Sequence, residues 1–241
     1  MAEQAKDSLL RRLDRVYRLC EEARGRPLYI SVVMLAHHAQ AQGVRSSLES
    51  LTLDGLPGDA MLDIFFVVMP DENGSAGVVG EIISKAQSSA GQPPNRTIEM
   101  LIADRPYRGI HYLFPYGRNV HKGLDAAVAR VRRSGQEVNH IVVRVSGDVI
   151  VKDREILAKL VRPLGDSALK GVVVSSALQD SDWDKDELAR RLLVRNRMLA
   201  CREGKAPYVS CSSSAPQGSL SAYMAPMLTE VRLSETWGGG E

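Results

Sequence analysis

Three stretches of this 241-residue chain are apolar and β-branched almost without interruption: "LYISVVMLA" after Pro27, "MLDIFFVV" ahead of Met69, and "HIVVRV" ahead of Ser146. A strand with one wet face alternates apolar and polar side chains, so a run without alternation belongs to a strand covered on both faces. Between these runs the spacing becomes helical. "GVRSSLESLTLDGL" places Val44, Leu48 and Leu51 one turn apart, and "AGVVGEIISKAQSS", "HKGLDAAVARVRRSG" and "DREILAKLVRPLG" carry the same period. "TIEMLIAD" and "ALKGVVVSSALQ" are further strand candidates, and "DKDELARRLLVRNRMLACREGK" reads as a long basic amphipathic helix. "RPYRGIHYLFPYGRN", punctuated by proline and aromatics, reads as an ordered loop. Strands alternating with helices predict a single α/β domain with a mostly parallel sheet and helices on both faces. Ligands of such sheets bind at the carboxyl ends of the strands.

Hydrophobic residues make up 44% of the chain, enough for an ordinary core, and the formal net charge of +2 gives no argument for a general nucleic-acid binder, so no nucleic-acid partner is expected. Cys20, Cys201 and Cys211 form no CxxC pair, which predicts buried thiols in a reducing, cytoplasmic setting. No apolar run reaches the roughly 20 residues that a spanning helix needs, so the expectation is a soluble chain without a transmembrane segment. Residues 1–26 read as an N-terminal amphipathic helix, with Leu9, Leu10, Leu13, Val16, Tyr17, Leu19 and Cys20 on its apolar stripe. Packing on the domain is the simpler role for it, and contact with a partner or membrane surface is the other.

The loops after the buried strands are "AHHAQ", "PDENGS" and "SGDVIVKD". Neither GxGxxG after a strand nor GxxxxGK[ST] is present, which argues against a dinucleotide-binding dehydrogenase and a P-loop NTPase; GxSxG and HExxH are absent too. His37 and His38 are adjacent at a strand end and point to opposite sides, a poor arrangement for sharing one ion. Asp71 and Glu72 directly follow a buried strand, where a carboxylate can accept hydrogen bonds from a base or sugar, or simply close a solvated turn. Asp148 has the same two readings, with one addition. A hard divalent cation bridging phosphates needs only one or two carboxylates, and a neighbouring glycine, Gly147, would let a diphosphate approach the backbone.

In order along the chain, "YISVVMLAHHAQAQGVRSSLESL", "IFFVVMPDENGSAG", "GRNVHKGLDAAVARV" and "HIVVRVSGDVIVKDREILAKLV" resemble the inverting GT-A glycosyltransferases of the family that includes the cellulose, chitin and hyaluronan synthases. "QGSLSAYMAPMLTEV" resembles the acceptor-side segment of the chitin and hyaluronan synthase branch, and the resemblance spans about residues 28–235. It implies a GT-A domain over residues 27–241, with a nucleotide-binding half at about 27–153 and an acceptor-side half at about 154–241. It further implies transfer of a sugar from a nucleotide-diphosphate sugar, a UDP-sugar first, to a glycan or other hydroxyl acceptor in polysaccharide biosynthesis. Ala36 and His38 would line the base pocket, Asp71 or Glu72 would take the uracil-binding carboxylate role, and Arg118 and Lys122 would lie near the diphosphate. Asp148 would hold Mg²⁺ or Mn²⁺, while Gly218, Ser219 and Tyr223 would lie on the acceptor side.

The chain departs from the family pattern at several positions. Ser146 stands where the Asp-x-Asp motif has its first carboxylate, Asp125 replaces the Asn of the helix motif, and Met224 stands where a Tyr-Arg pair would have Arg. The family's catalytic base is an Asp in an acidic motif after the acceptor segment; the terminal "WGGGE" offers only Glu241 at its start. Three expectations remain open: a fragment or shortened relative, with membrane association through partners or further segments as one form of it; a base supplied from elsewhere; or a non-catalytic module binding a nucleotide sugar, glycan or protein.

Overall fold

The computed structural model describes residues 2–36, 40–71, 74–89, 93–104, 116–147, 149–165, 171–174 and 220–230. The described elements run α1 (Ala2–Ala23), β1 (Leu28–Ala36), α2 (Ala41–Ser50), β2 (Met61–Val68), α3 (Gly77–Gln87), β3 (Arg96–Ile102), α4 (Tyr116–Ser134), β4 (Asn139–Ser146), α5 (Ile156–Val161), a 3-10 turn (Arg162–Gly165), β5 (Gly171–Val174), β6 (Leu220–Met224) and α6 (Ala225–Glu230). These strands form a mostly parallel sheet in the order β3-β2-β1-β4-β6-β5. β1 pairs in parallel with β2 on one side, from Tyr29 opposite Met61 to Ala36 opposite Val68, and with β4 on the other, from Leu28 opposite Asn139 to Leu35 opposite Ser146. β6 runs antiparallel between β4 and β5.

The unbroken apolar runs have the expected cause. β1 and β2 are central, and their side chains enter two different cores. Ile30, Val32, Met34, Leu62, Ile64 and Phe66 face Val44 of α2, Val79 and Ile83 of α3 and Leu157 and Leu160 of α5. Val33, Leu35, Phe65, Val67 and Val142 face Val120, Leu124 and Ala127 of α4. Gly123 lets α4 ride close to the sheet, since a Cβ there would lie 2.4 Å from Val33 Cγ1 and 2.9 Å from Val67 Cγ2. β3 is the edge strand and is only partly buried, which explains its weaker apolar signature. Val16, Cys20 and Ala23 of α1 pack against Met224 and Met227, so this helix rests on the β6–α6 corner. Cys20 is a buried free thiol. No helix among the described residues is long and apolar enough to cross a membrane.

Two element boundaries differ from expectation. α4 begins at Tyr116, inside the stretch read as loop, so Arg118 is helical; the aromatic and glycine content hid the start, although a proline at position 115 is itself a helix-entry signal. The helix expected over 153–165 is one short α-helical stretch that tightens into a 3-10 turn at Arg162, where Pro163 removes an amide donor. The long basic helix expected after residue 180 lies outside the described residues, as do Cys201 and Cys211.

A polar group sits within the second core at the far end of the strands from the carboxyl edge. The hydroxyls of Tyr29 and Thr97 both donate to the buried carboxylate of Asp63, three neighbouring strands thus being tied side chain to side chain. The buried imidazole of His140 is 3.0 Å from Ser31 Oγ through Nε2, and its ring meets the edge of Tyr29 at a centroid distance of 5.7 Å. Burial, and then Asp63, push the Tyr29 phenol pKa upward.

Candidate functional site

The parallel strands place their carboxyl ends side by side. Met69 N donates to Ala36 O at 2.9 Å and Ala103 N to Val68 O at 2.8 Å, so the edge advances in step from β1 to β3. The chain lays down β1, β2 and β3 outward in one direction and then crosses back to put β4 on β1's other side. The strand order therefore reverses between β1 and β4, the place where the loops of an open parallel sheet part and leave a crevice.

At the end of β2, Asp71 first organises its own loop. Its Oδ1 accepts from Ser75 N at 2.7 Å and its Oδ2 from Ser75 Oγ at 2.6 Å, while Asp71 N donates to Ser75 O at 2.8 Å. Gly74, at φ 84°, supplies the left-handed residue this turn requires.

At the end of β3, Asp104 draws in the two cations singled out on α4. Arg118 Nε lies 3.1 Å from Oδ2 and Lys122 Nζ 3.0 Å from Oδ1. The Lys122 hydrogen bond, with Arg118 adding, holds the Asp104 carboxyl below its usual range. Asn119, fully buried between these two positions, fixes the arrangement: its Oδ1 accepts from Asp104 N at 2.7 Å and its Nδ2 donates to Asp104 O at 3.3 Å. The helix thus grips the strand end through a buried amide and offers two cations, one turn apart, beside one carboxylate. Replacing Asn119 by alanine leaves the Asp104 N–H without that acceptor. We expect a loss of about 1–2 kcal/mol in urea unfolding.

At the end of β4, Gly147 is fitted against the chain itself. A Cβ on it would lie 2.3 Å from Gln40 Oε1, 2.6 Å from Leu35 O and 3.0 Å from Ala36 Cα. The expectation that this glycine makes room for a diphosphate is corrected accordingly, because the end of β1 and Gln40 already occupy that space. Beyond it the loop is stitched to α2. Val149 N turns back to Ser146 O at 3.1 Å, Val151 N donates to Ser46 Oγ at 3.2 Å, and Ser50 Oγ donates to Val151 O at 2.8 Å. Asp148 itself lies outside the described residues; Val149 after it is held by this network, and Gly147 before it is packed against the end of β1 and Gln40.

Of the residues singled out from sequence, Ala36, Asp71, Arg118 and Lys122 lie along the same edge of the sheet. Tyr223 stands opposite Val142, back from that edge, and burial raises its phenol pKa; it is Leu220 that faces Val145. His38, Glu72, Gly218, Ser219 and Glu241 lie outside the described residues. Sequence reasoning missed Asp104 and Asn119. The rule that singled out Asp71, a carboxylate just past a strand, applies equally to Asp104.

Comparison with known proteins adds the following. No family model matches the chain, and no curated protein matches it. Solved structures do. They include glucosyl-3-phosphoglycerate synthase from Mycobacterium tuberculosis in complex with Mn²⁺, UDP and glucosyl-3-phosphoglycerate, at 18% identity over 89% of this chain and 62% of that one, with a TM-score of 0.46. A mannosyltransferase from Pyrobaculum calidifontis in complex with GDP-Man and Mn²⁺ is similar at 14% identity over 94% of this chain and 55% of that one, with a TM-score of 0.48. Mouse xyloside xylosyltransferase 1 is similar at 10% identity over 86% and 70% of the two chains, with a TM-score of 0.40. The chain spans about three fifths of the length of the first of these.

Proposed function

We propose that this chain is a glycosyltransferase domain that binds a nucleotide-diphosphate sugar, a UDP-sugar first, across the carboxyl edge of β1, β2 and β4 and passes the sugar to a hydroxyl acceptor. The observation that carries this reading is the strand-order reversal between β1 and β4, with the Asp148 loop stitched beside it. Arg118 and Lys122 supply cationic donors for the diphosphate, which would compete with Asp104 for them. Ala36 and Asp71, at the ends of adjacent strands, would contact the base. Departures from the polymer-synthase pattern leave the acceptor a hydroxyl of unassigned identity.

The donor set fits a hard divalent cation only together with diphosphate oxygens. Among the described residues no three His, Cys, Asp or Glu side chains converge, so Asp148, with the Ser146 hydroxyl nearby in sequence, would hold the ion alongside phosphate and water. Mg²⁺ or Mn²⁺ there would supply Lewis-acid stabilisation of the departing diphosphate. The chain's own residues neutralise charge through Arg118 and Lys122 and hold the loop after β4 against α2. A second reading, a binding module without turnover, is favoured by one specific feature, the serine rather than a carboxylate at position 146.

Titration calorimetry with UDP, GDP and UDP-sugars, with and without Mn²⁺, tests both. The expected result is metal-dependent nucleotide binding, abolished by Asp148→Ala and weakened about tenfold by Lys122→Gln. Release of UDP from a UDP-sugar supports transfer; binding without release supports the module; no response to any nucleotide overturns both readings.

A further inference from the structure

The opposite end of the same strands carries a cleft that none of this chemistry uses. It has a volume of about 330 Å³ and opens at the amino ends of β1 and β4, between the turn at residues 55–57 and the α5–3-10 corner. A volume of this order lies at the small end of the range for small-molecule sites. Leu28, Ile141 and Leu164 give it an apolar lining. Two guanidinium side chains, Arg26 and Arg162, share it.

Two features give this cleft a ligand chemistry. Arg162 has no acidic partner among the described residues, and Arg26 has only the exposed Glu137 at 3.5 Å, a pairing too solvated to neutralise it firmly. Two available cations beside an apolar wall are complementary to a molecule with one anionic group and a short apolar body.

We propose that this cleft is a binding site for a small amphiphilic anion, a carboxylate or phosphate monoester with a short apolar body. The anion lies between Arg26 and Arg162, and the apolar body lies along Leu28, Ile141 and Leu164. The site is separate from the carboxyl edge and does not rest on the transferase reading, because neither Arg118 nor Lys122 lines it.

The test uses octanoate and octyl phosphate as anionic probes and octanol as the neutral probe of matched chain, by titration calorimetry on the full chain. The anions are expected to bind with sub-millimolar affinity and octanol at least about tenfold more weakly. Arg162 is exposed, so Arg162→Gln is expected to leave the urea midpoint unchanged while weakening the anions about tenfold and octanol hardly at all. Gly165 also lines the cleft, and a Cβ on it meets nothing within 4 Å, so Gly165→Leu adds bulk there without a backbone collision and is expected to weaken all three probes. The stronger of the two anions identifies the head group. Octanol binding as tightly as octanoate, unchanged anion affinity in Arg162→Gln, or no binding of either anion at millimolar concentration overturns the proposal.

Discussion

Replacing Gly43 by alanine is expected to destabilise the fold by about 3 kcal/mol, the upper end of what one added methyl usually costs in a packed site. The added Cβ would stand 2.1 Å from the carbonyl oxygen of Gly147, 3.1 Å from its carbonyl carbon and 3.2 Å from Val149 O. All three atoms are backbone, so no side-chain rotation can relieve the contact; either α2 withdraws from the sheet or the loop after β4 is displaced. Withdrawal loosens the Ser46 and Ser50 bonds to Val151, and displacement moves the neighbours of Asp148. On the proposed reading, nucleotide affinity should fall together with stability. Gly58→Ala is the matched control, because a Cβ there meets nothing within 4 Å and its backbone is not left-handed; its midpoint should stay within about 0.5 kcal/mol of the parent. Urea midpoints of the two variants that coincide would show that α2 and the β4 loop are not in contact as described.

The second large effect is on pH dependence. Burial lowers the His140 pKa from its ordinary 6.5 to about 4. The folded chain therefore holds this ring neutral while the unfolded chain takes up a proton below pH 6.5. Stability should be full above that value and decline as pH falls through the window from 6.5 to about 4, at up to about 1.4 kcal/mol per pH unit. The loss amounts to roughly 3 kcal/mol by the lower end of the window. His140→Asn, which has no titration in this range, should flatten this part of the curve, isolating it from the carboxylates that titrate at the acid end. Measuring unfolding free energy every half pH unit for both chains is sufficient; parallel curves would mean that His140 is protonated in the folded state as readily as outside it.

The central strands were legible because a strand between two cores has no polar alternation to confuse, and β1, β2 and β4 carry that signature. The buried Asp63 is the exception inside such a run. Nothing local announces its partners, since Tyr29 and Thr97 come from strands on either side of it. Strand order was not legible either. The choice that puts β4 beside β1 rather than beside β3 is made by long-range packing, with α4 crossing the second face of the sheet. At the site, Arg118 and Lys122 were visible as cations, but their placement depends on a helix start that aromatic and glycine residues disguised and on the Asn119 grip, which has no short motif. Gly147 shows the converse: the residue was noticed for its missing side chain, yet what approaches it is the chain's own β1 and Gln40.

The insertion of β6 between β4 and β5 has a consequence for how the molecule is made. β4 ends at Ser146 and its antiparallel partner begins only at Leu220. During synthesis the chain can assemble β1 through β4 first, so one side of β4 stays an open row of hydrogen-bonding groups until the later segment arrives. Closing that gap is a long-range step of the kind that slows folding. It leaves the nascent chain with a sticky ribbon edge, and the time for which that edge is open is set by how soon residues 220–224 emerge and return to it.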